Sequence, residues 1–163
     1  MNKKIFLKMY NTAKSNKFIK EITIGVARVS SWVFFLVYAL LILTLFLDKN
    51  DKLYMVIIIP MLTIAVNMLA RKMLRRPRPF DELNIEPLIY HSNAYSFPSN
   101  HCASALIIAA SVYYVNPHSG MWVAVMAVVT GLSRIAAGIH YPIDVLAGYI
   151  VAIVFALAGF VWG

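Results

Sequence analysis

Residues 131–144 have the sequence GLSRIAAGIHYPID and carry an arginine, a histidine and an aspartate between two apolar stretches. Ionisable side chains at membrane depth are expensive and usually face a cavity or a partner rather than lipid. His140 and Asp144 are four residues apart, and Pro142 lies between them. Because proline is favoured in the first turn of a helix, this pattern predicts a helix that begins near Pro142. Asp144 would then accept a hydrogen bond from Nδ1 of His140 and leave Nε2 available as a nucleophile.

The composition is that of an integral membrane protein. The 163 residues are 61% hydrophobic and 13% charged, and the mean hydropathy is +0.72. A soluble domain of this size could not bury so much apolar surface. The formal net charge is +8. Because the basic residues lie at the ends of apolar spans, lipid headgroups or a phosphorylated substrate are favoured as partners over nucleic acid.

Five apolar segments predict an all-α bundle of about five transmembrane helices, each close to the ~20 residues that a bilayer requires. The predicted spans are residues 29–47, 53–74, 96–115, 121–138 and 143–162. Pro60 is predicted to kink the second span, and Asn67 to form a hydrogen bond with a neighbouring helix. Ser99 stands where the N-cap of the third helix belongs.

Residues 1–20 are predicted to form an interfacial amphipathic helix, and residues 21–163 the transmembrane domain. At helical spacing, the apolar side chains fall on one face: Ile5, Phe6, Met9, Tyr10 and Ala13. The segment holds six lysines and no continuous apolar core, so a cleavable signal peptide is not predicted. A lysine-bearing helix of this kind lies in the headgroup layer; a solvated basic tail is the alternative.

Three polar segments fall at one end of the predicted bundle, because short turns join the first span to the second and the third to the fourth. These segments contain Arg71 and Arg78, residues 99–101, and residues 134–144. Arginine binds phosphate bidentately, and a helix N-terminus offers free N–H groups to an anion. Together the segments predict a phosphate-binding site at the membrane surface.

Two histidines beside such a site suit phosphoryl transfer by covalent catalysis. His140, oriented by Asp144, would attack phosphorus, while His101 would protonate the leaving oxygen and then help to activate water. The arginines would stabilise the charge on the equatorial oxygens. A metal site of two histidines and a carboxylate is the alternative. The surrounding arginines would repel a cation, so neither a metal nor another cofactor is predicted.

The other basic residues of this region are interpreted as membrane anchors. Lys72, Arg75 and Arg76 follow the second span, where long cationic side chains reach out to the headgroups. Arg71, Arg75 and Arg78 would share one helix face if the second helix continued that far, and Pro77 and Pro79 are predicted to end it.

Three motifs resemble the signature of the type 2 phosphatidic acid phosphatase superfamily, which is Lys-x6-Arg-Pro, Pro-Ser-Gly-His and Ser-Arg-x5-His-x3-Asp. The matching residues are Arg71-x6-Arg78-Pro79, Pro98-Ser-Asn-His101 and Ser133-Arg134-x5-His140-x3-Asp144. The resemblance implies that His140 is the nucleophile, Asp144 its partner and His101 the acid–base group. It also implies the phosphate ligands, which are Arg71, Arg78, Ser99, Asn100 through its backbone N–H, and Arg134. Arg71 replaces the usual lysine and Asn100 the usual glycine.

The surrounding sequence is most similar to a subgroup of that superfamily, the bacitracin-resistance type of undecaprenyl-diphosphate phosphatase. This similarity implies hydrolysis of undecaprenyl diphosphate to the monophosphate during cell-wall synthesis. His91 would lie near the site or be a plain loop histidine. Phosphatidic acid or phosphatidylglycerol phosphate is the alternative substrate. A non-catalytic protein that binds or transports lipid phosphates is the alternative of another class. Vanadium haloperoxidases share this anion-site plan, but they are soluble and much larger.

Two observations disagree about the membrane face that carries the predicted site. With five spans, the N-terminal lysines and the site share a face, and the positive-inside tendency places those lysines in the cytoplasm. The diphosphatase resemblance instead implies a site on the extracytoplasmic face of the plasma membrane, and we favour this interpretation.

Overall fold

The computed structural model describes residues 2–90 and 95–161, and within these ranges the regular structure is helical. The helices in chain order are α1 (Asn2–Ser15), α2 (Lys17–Leu47), α3 (Lys52–Leu74), α4 (Pro79–Leu83), α5 (Asn100–Val115), α6 (Pro117–Ala136) and α7 (Pro142–Ala156). A π-helical turn over Leu157–Val161 continues α7. The predicted all-α membrane bundle is confirmed.

Four helices in the described ranges are long and apolar enough to cross a membrane, and they begin at Lys17, Lys52, Pro117 and Pro142. The third predicted span is α5, which has 16 residues. It is about 24 Å long at 1.5 Å per residue, shorter than the hydrocarbon core of a bilayer. This short helix packs against α2, α3, α6 and α7, and it therefore forms the centre of the bundle.

The first turns of α5 and α7 are held together at a close backbone approach. A Cβ atom at Gly148 would lie 2.6 Å from the carbonyl oxygen of Ser99, so the contact requires glycine. The N–H of Ser99 donates to the carbonyl oxygen of Asp144 at 2.9 Å. This contact joins two of the three segments that the sequence predicts to converge.

The chain after α3 does not continue as the helix that was predicted to carry Arg78. Arg75 adopts a left-handed conformation with a φ of 44° and ends α3 after Leu74. The condition under which Arg71, Arg75 and Arg78 would share one helix face is therefore not met. Arg78 instead lies in extended backbone as the N-cap residue of α4, and its side chain reaches the site from this connection.

Helix α1 lies against the same end of the bundle. It ends at Ser15, earlier than residue 20, because Asn16 caps α2 by accepting a hydrogen bond from the N–H of Ile19 at 3.1 Å. Three residues of its predicted lipid-facing side are buried in the protein: Phe6, Tyr10 and Ala13. The Phe6 ring lies edge-on to that of Tyr141, with 5.1 Å between centroids. Much of the apolar face of α1 is therefore covered by protein rather than by lipid.

Candidate active site

His140 lies in the short connection between α6 and α7. Gly138, with a φ of +85°, turns the chain after α6, and a residue with a side chain would be strained there. Pro142 then starts α7, as the sequence predicts. The Asp144 carboxylate accepts the N–H of Tyr141 at 2.8 Å and so caps the helix that it belongs to. These constraints place His140 directly before the first turn of α7, where its side chain is fully buried.

Ser96 joins His140 to Asp144. Nδ1 of His140 lies 3.6 Å from Oδ2 of Asp144, which is too long for the direct hydrogen bond that was predicted. The Ser96 hydroxyl lies 3.3 Å from Nδ1 and donates a hydrogen bond to Oδ2. Since the hydroxyl donates to the carboxylate, it can accept Nδ1–H. The three side chains form a relay that places the proton of His140 on Nδ1.

The other ring nitrogen of His140 faces Arg78. The NH1 group of Arg78 donates to the carbonyl oxygen of Ile139 at 2.9 Å and lies 3.4 Å from Nε2 of His140. Arg78 is 1% exposed. A guanidinium held here by the backbone next to His140 can donate to a phosphate oxygen at the position where Nε2 would attack.

His140 is neutral in this environment. Burial lowers the pKa of His140 to about 4, while the Asp144 carboxylate acts in the opposite direction. A neutral ring with its proton on Nδ1 keeps the lone pair of Nε2 available for attack. The geometry and the charge of the pair are therefore compatible with the predicted role of Nε2 as the attacking atom.

Ser99 and Asn100 start α5, and both have structural partners. The Ser99 hydroxyl accepts the N–H of Cys102 at 3.5 Å, which confirms the predicted N-cap. The side-chain amide of Asn67, on α3, donates to the side-chain oxygen of Asn100. The predicted interhelical role of Asn67 is thereby confirmed, and its partner is the residue that replaces the family's glycine.

His101 and Arg134 meet at a cavity of about 430 Å³. Arg134 is 3% exposed, and its NH2 group donates to the Ser31 hydroxyl of α2 at 3.2 Å. Its Nε is buried and has no hydrogen-bond partner among the described residues. Arg28 of α2 lines the same cavity. This α2 face was not predicted to belong to the site.

Arg71 and Arg76 add further positive charge around Arg78 and Asp144. Arg71 donates to the carbonyl oxygen of Tyr95 and, like Arg134, acts on Arg78 through its charge. NH1 of Arg76 lies 3.5 Å from Oδ1 of Asp144, and its guanidinium lies 5.2 Å from the ring centre of Tyr141. The interpretation of Arg76 as a membrane anchor is therefore wrong, because its charge faces the carboxylate of the relay.

Ser96 and Arg76 are the residues of this region that sequence reasoning missed. Ser96 precedes the second motif, and Arg76 is one of five basic residues between 71 and 78. No spacing signal distinguishes either one. By contrast, the exposed Arg75 donates to the Lys72 carbonyl oxygen at the end of α3, a position that suits an anchor. His91 lies outside the described residues.

Comparison with known proteins identifies relatives of this chain. The sequence pattern of the PAP2 superfamily matches residues 52–163. The undecaprenyl-diphosphatase BcrC of Bacillus subtilis is 30% identical over 158 residues, which cover 94% of this chain and 80% of that protein. The phosphatidylglycerophosphatase B of the same organism is 30% identical over 95 residues, which cover 52% of this chain and 44% of that protein.

Two solved structures share the fold. The crystal structure of Aquifex aeolicus LpxE superimposes with a TM-score of 0.80 at 24% identity, over 97% of this chain and 93% of that one. A PAP2-type phosphatidylglycerolphosphate phosphatase from Bacillus subtilis gives a TM-score of 0.72 at 20% identity, over 98% and 85% of the two chains. At these identities the similarity supports the fold alone.

Proposed function

This chain belongs to the PAP2 superfamily, and from that premise we propose that it hydrolyses a polyprenyl diphosphate, with undecaprenyl diphosphate as the substrate, through a phosphohistidine on His140. The observation that carries the proposal is the buried His140, whose Nδ1 contacts Ser96 and Asp144 and whose Nε2 faces Arg78. A protein that only bound lipid phosphates would not need an oriented nucleophile.

The first step is attack by Nε2 of His140 on the terminal phosphorus. The N–P bond forms as the bond from phosphorus to the bridging oxygen breaks, and His101 donates a proton to that oxygen. The positive charge that develops on the imidazole is stabilised by the buried carboxylate of Asp144 through Ser96. Arg78, Arg71 and Arg134 stabilise the charge on the equatorial oxygens.

In the second step, water attacks the phosphohistidine. His101, now neutral, takes a proton from the attacking water, and the N–P bond breaks to release phosphate and regenerate His140. Without substrate, Arg78 lies beside Nε2. We infer that a bound phosphate takes over this donor and leaves the nitrogen free to react. Every step uses side chains of the chain itself and needs no metal.

The relatives support the choice of substrate. The relative that matches nearly the whole chain is named an undecaprenyl-diphosphatase. The partial match to a phosphatidylglycerophosphatase keeps phosphatidylglycerol phosphate as the second candidate substrate. The name of a further relative, a bacitracin transport permease protein from Bacillus licheniformis, supports the proposal that diphosphate hydrolysis by this chain contributes to bacitracin resistance.

The deciding experiment measures phosphate release by the detergent-purified protein in EDTA. Undecaprenyl diphosphate, phosphatidylglycerol phosphate and phosphatidic acid are compared, with His140→Ala as the inactive control. We expect release from the diphosphate, inhibition by vanadate and no turnover by His140→Ala. A preference for a glycerolipid monophosphate would instead indicate a role in phospholipid metabolism. Full activity of His140→Ala, or activity restored only by added metal, would contradict the mechanism.

We further propose that the site faces the extracytoplasmic side of the plasma membrane. The N-terminus of α7 carries the site, so its C-terminal end lies on the opposite face. A fluorescent protein or alkaline phosphatase fused after Gly163 reports that face. Cytoplasmic fluorescence without phosphatase activity is the expected result, and the reverse pattern would place the site in the cytoplasm.

A further inference from the structure

The cavity at His101 and Arg134 is also lined by Arg28 and Ser31, whose basic and hydroxyl groups the catalytic steps do not use. Its volume is about 430 Å³, and it is lined by Ala27, Arg28, Ser31, Ile89, Tyr90, His101 and Arg134. Among these described lining residues there is no carboxylate to neutralise the arginines. The cavity therefore favours an anion.

Arg134 supplies an independent indication of a ligand. Its Nε is buried without a hydrogen-bond partner among the described residues, while its NH2 group is held by Ser31. Leaving a buried polar group unpaired is costly. Because Nε is covered, a small shift of the guanidinium would bring it to an oxygen of an anion bound in the cavity.

Arg28 lies at the depth of lipid phosphates. It lies 20 positions before Asp48, the C-cap residue of α2. At 1.5 Å per residue this is about 30 Å, the thickness of the hydrocarbon core. Arg28 is thus at the headgroup level of the face that carries the site, and its side chain lines the cavity.

The position of the cavity indicates which phosphate of the substrate it would hold. His101 donates its proton to the oxygen that leaves phosphorus, so a cavity lined by His101 lies on the leaving-group side. In a diphosphate, that leaving group is itself a phosphate. We propose that Arg28 and Ser31, next to the Arg134 that serves the transferred phosphate, form a second phosphate site that holds the lipid-linked phosphate of a diphosphate substrate. This inference rests on the proposed function.

The path of the lipid chain is consistent with this placement. A second cavity, of about 330 Å³, shares Ser31 and His101 with the first and extends between α2 and α5 past Phe34 to Tyr38 and Ile108. Its lining changes from polar at Ser31 to apolar at Ile108. A phosphate held by Arg28 would therefore lie at the polar end of this second cavity, next to Ser31. The attached isoprenoid chain would extend along the apolar end towards the bilayer.

The test is the substrate preference of Arg28→Gln. We expect the ratio of kcat/KM for undecaprenyl diphosphate to kcat/KM for phosphatidic acid to fall by about tenfold or more, the effect of losing one charge-assisted hydrogen bond. Arg28→Lys should recover part of that ratio. Lys17→Gln removes a charge from the exposed start of the same helix and should leave the ratio unchanged. An unchanged ratio in Arg28→Gln, including an equal loss on both substrates, would overturn the proposal and leave Arg28 as a membrane anchor.

A binding measurement separates this proposal from the proposed function. Calorimetry with methylenediphosphonate and with orthophosphate needs no turnover. We expect the wild-type protein to prefer the diphosphonate, and Arg28→Gln to lose about tenfold of that preference. If the wild-type protein released no phosphate from the diphosphate yet showed this preference, the proposed reaction would fail and the second site would stand. Equal affinity of the wild-type protein for both anions would overturn the site.

Discussion

Nδ1 of His140 and Oδ2 of Asp144 lie 3.6 Å apart, and the hydroxyl of Ser96 contacts both atoms. The carboxylate acts on the imidazole directly through its charge and also through this hydroxyl. We therefore predict that Ser96 positions His140, because its hydroxyl links the imidazole to the carboxylate of Asp144.

Ser96→Ala should lower kcat by about tenfold to a hundredfold with a small change in KM. The reason is the loss of a hydrogen bond to a charged group, worth ~1.5–3 kcal/mol. Steady-state kinetics on the preferred lipid substrate measures the change. The matched control is Ser111→Ala, since Ser111 is equally buried but donates to the Ile107 carbonyl oxygen of its own helix. Equal kinetics in the two variants would contradict the relay.

Arg76→Gln should lower kcat by about tenfold. Its guanidinium is the cation that faces Oδ1 of Asp144, and without it the buried carboxylate loses part of its charge compensation. Arg75→Gln is the control, because Arg75 is the adjacent arginine, is exposed and donates to the Lys72 carbonyl oxygen at the end of α3. Steady-state kinetics of both variants measure the effect on kcat, and an equal effect of the two substitutions would contradict a specific role of Arg76 at Asp144.

Asn100→Gly, which restores the family's usual residue, should destabilise this chain by about 1–2 kcal/mol. It leaves the fully buried amide of Asn67 without its acceptor. Adding Asn67→Leu should recover part of the loss, because the unpaired amide is then removed. Thermal unfolding in detergent measures both variants. If the double variant had a lower melting temperature than Asn100→Gly, the unpaired amide of Asn67 would not be the cause of the destabilisation.

The folded protein should keep His140 neutral well below the usual titration range of histidine. Burial lowers its pKa to about 4 from 6.5, so protonation should occur near pH 4. The unfolded chain binds that proton at higher pH. This group therefore contributes stability above pH 6.5 that is lost as the pH falls towards 4. Nitrogen-15 NMR of histidine-labelled protein, assigned with His140→Gln, follows the titration, and a midpoint near 6.5 would refute it.

Phe6→Ala should destabilise the protein by ~3 kcal/mol and lower kcat. Phe6 is 0% exposed, and its ring packs against Tyr141, the neighbour of His140. Phe18→Ala is the control on the same N-terminal segment, since Phe18 is 74% exposed and should change neither quantity appreciably. Melting temperature and kcat are measured for both. A Phe6→Ala protein as stable and active as Phe18→Ala would show that α1 does not support the catalytic connection.

Local signals predicted much of the fold and the centre of the site. Hydropathy located the long helices, Pro142 located the start of α7, and Ser99 located the N-cap of α5. The four-residue spacing of His140 and Asp144 placed both at that helix start. These properties follow from neighbouring residues, and the sequence alone was sufficient for them.

The tertiary structure decided how distant segments meet. Ser96 and His140 are 44 residues apart, and Arg134 and Ser31 are 103 apart; no periodicity connects positions so far apart. The same holds for Arg76 at Asp144 and for α1, whose amphipathic pattern revealed an apolar face but not that protein would cover it. A sequence pattern determines which face of a helix is apolar or charged. Helix packing determines what that face contacts, because packing depends on the shapes of all the helices together.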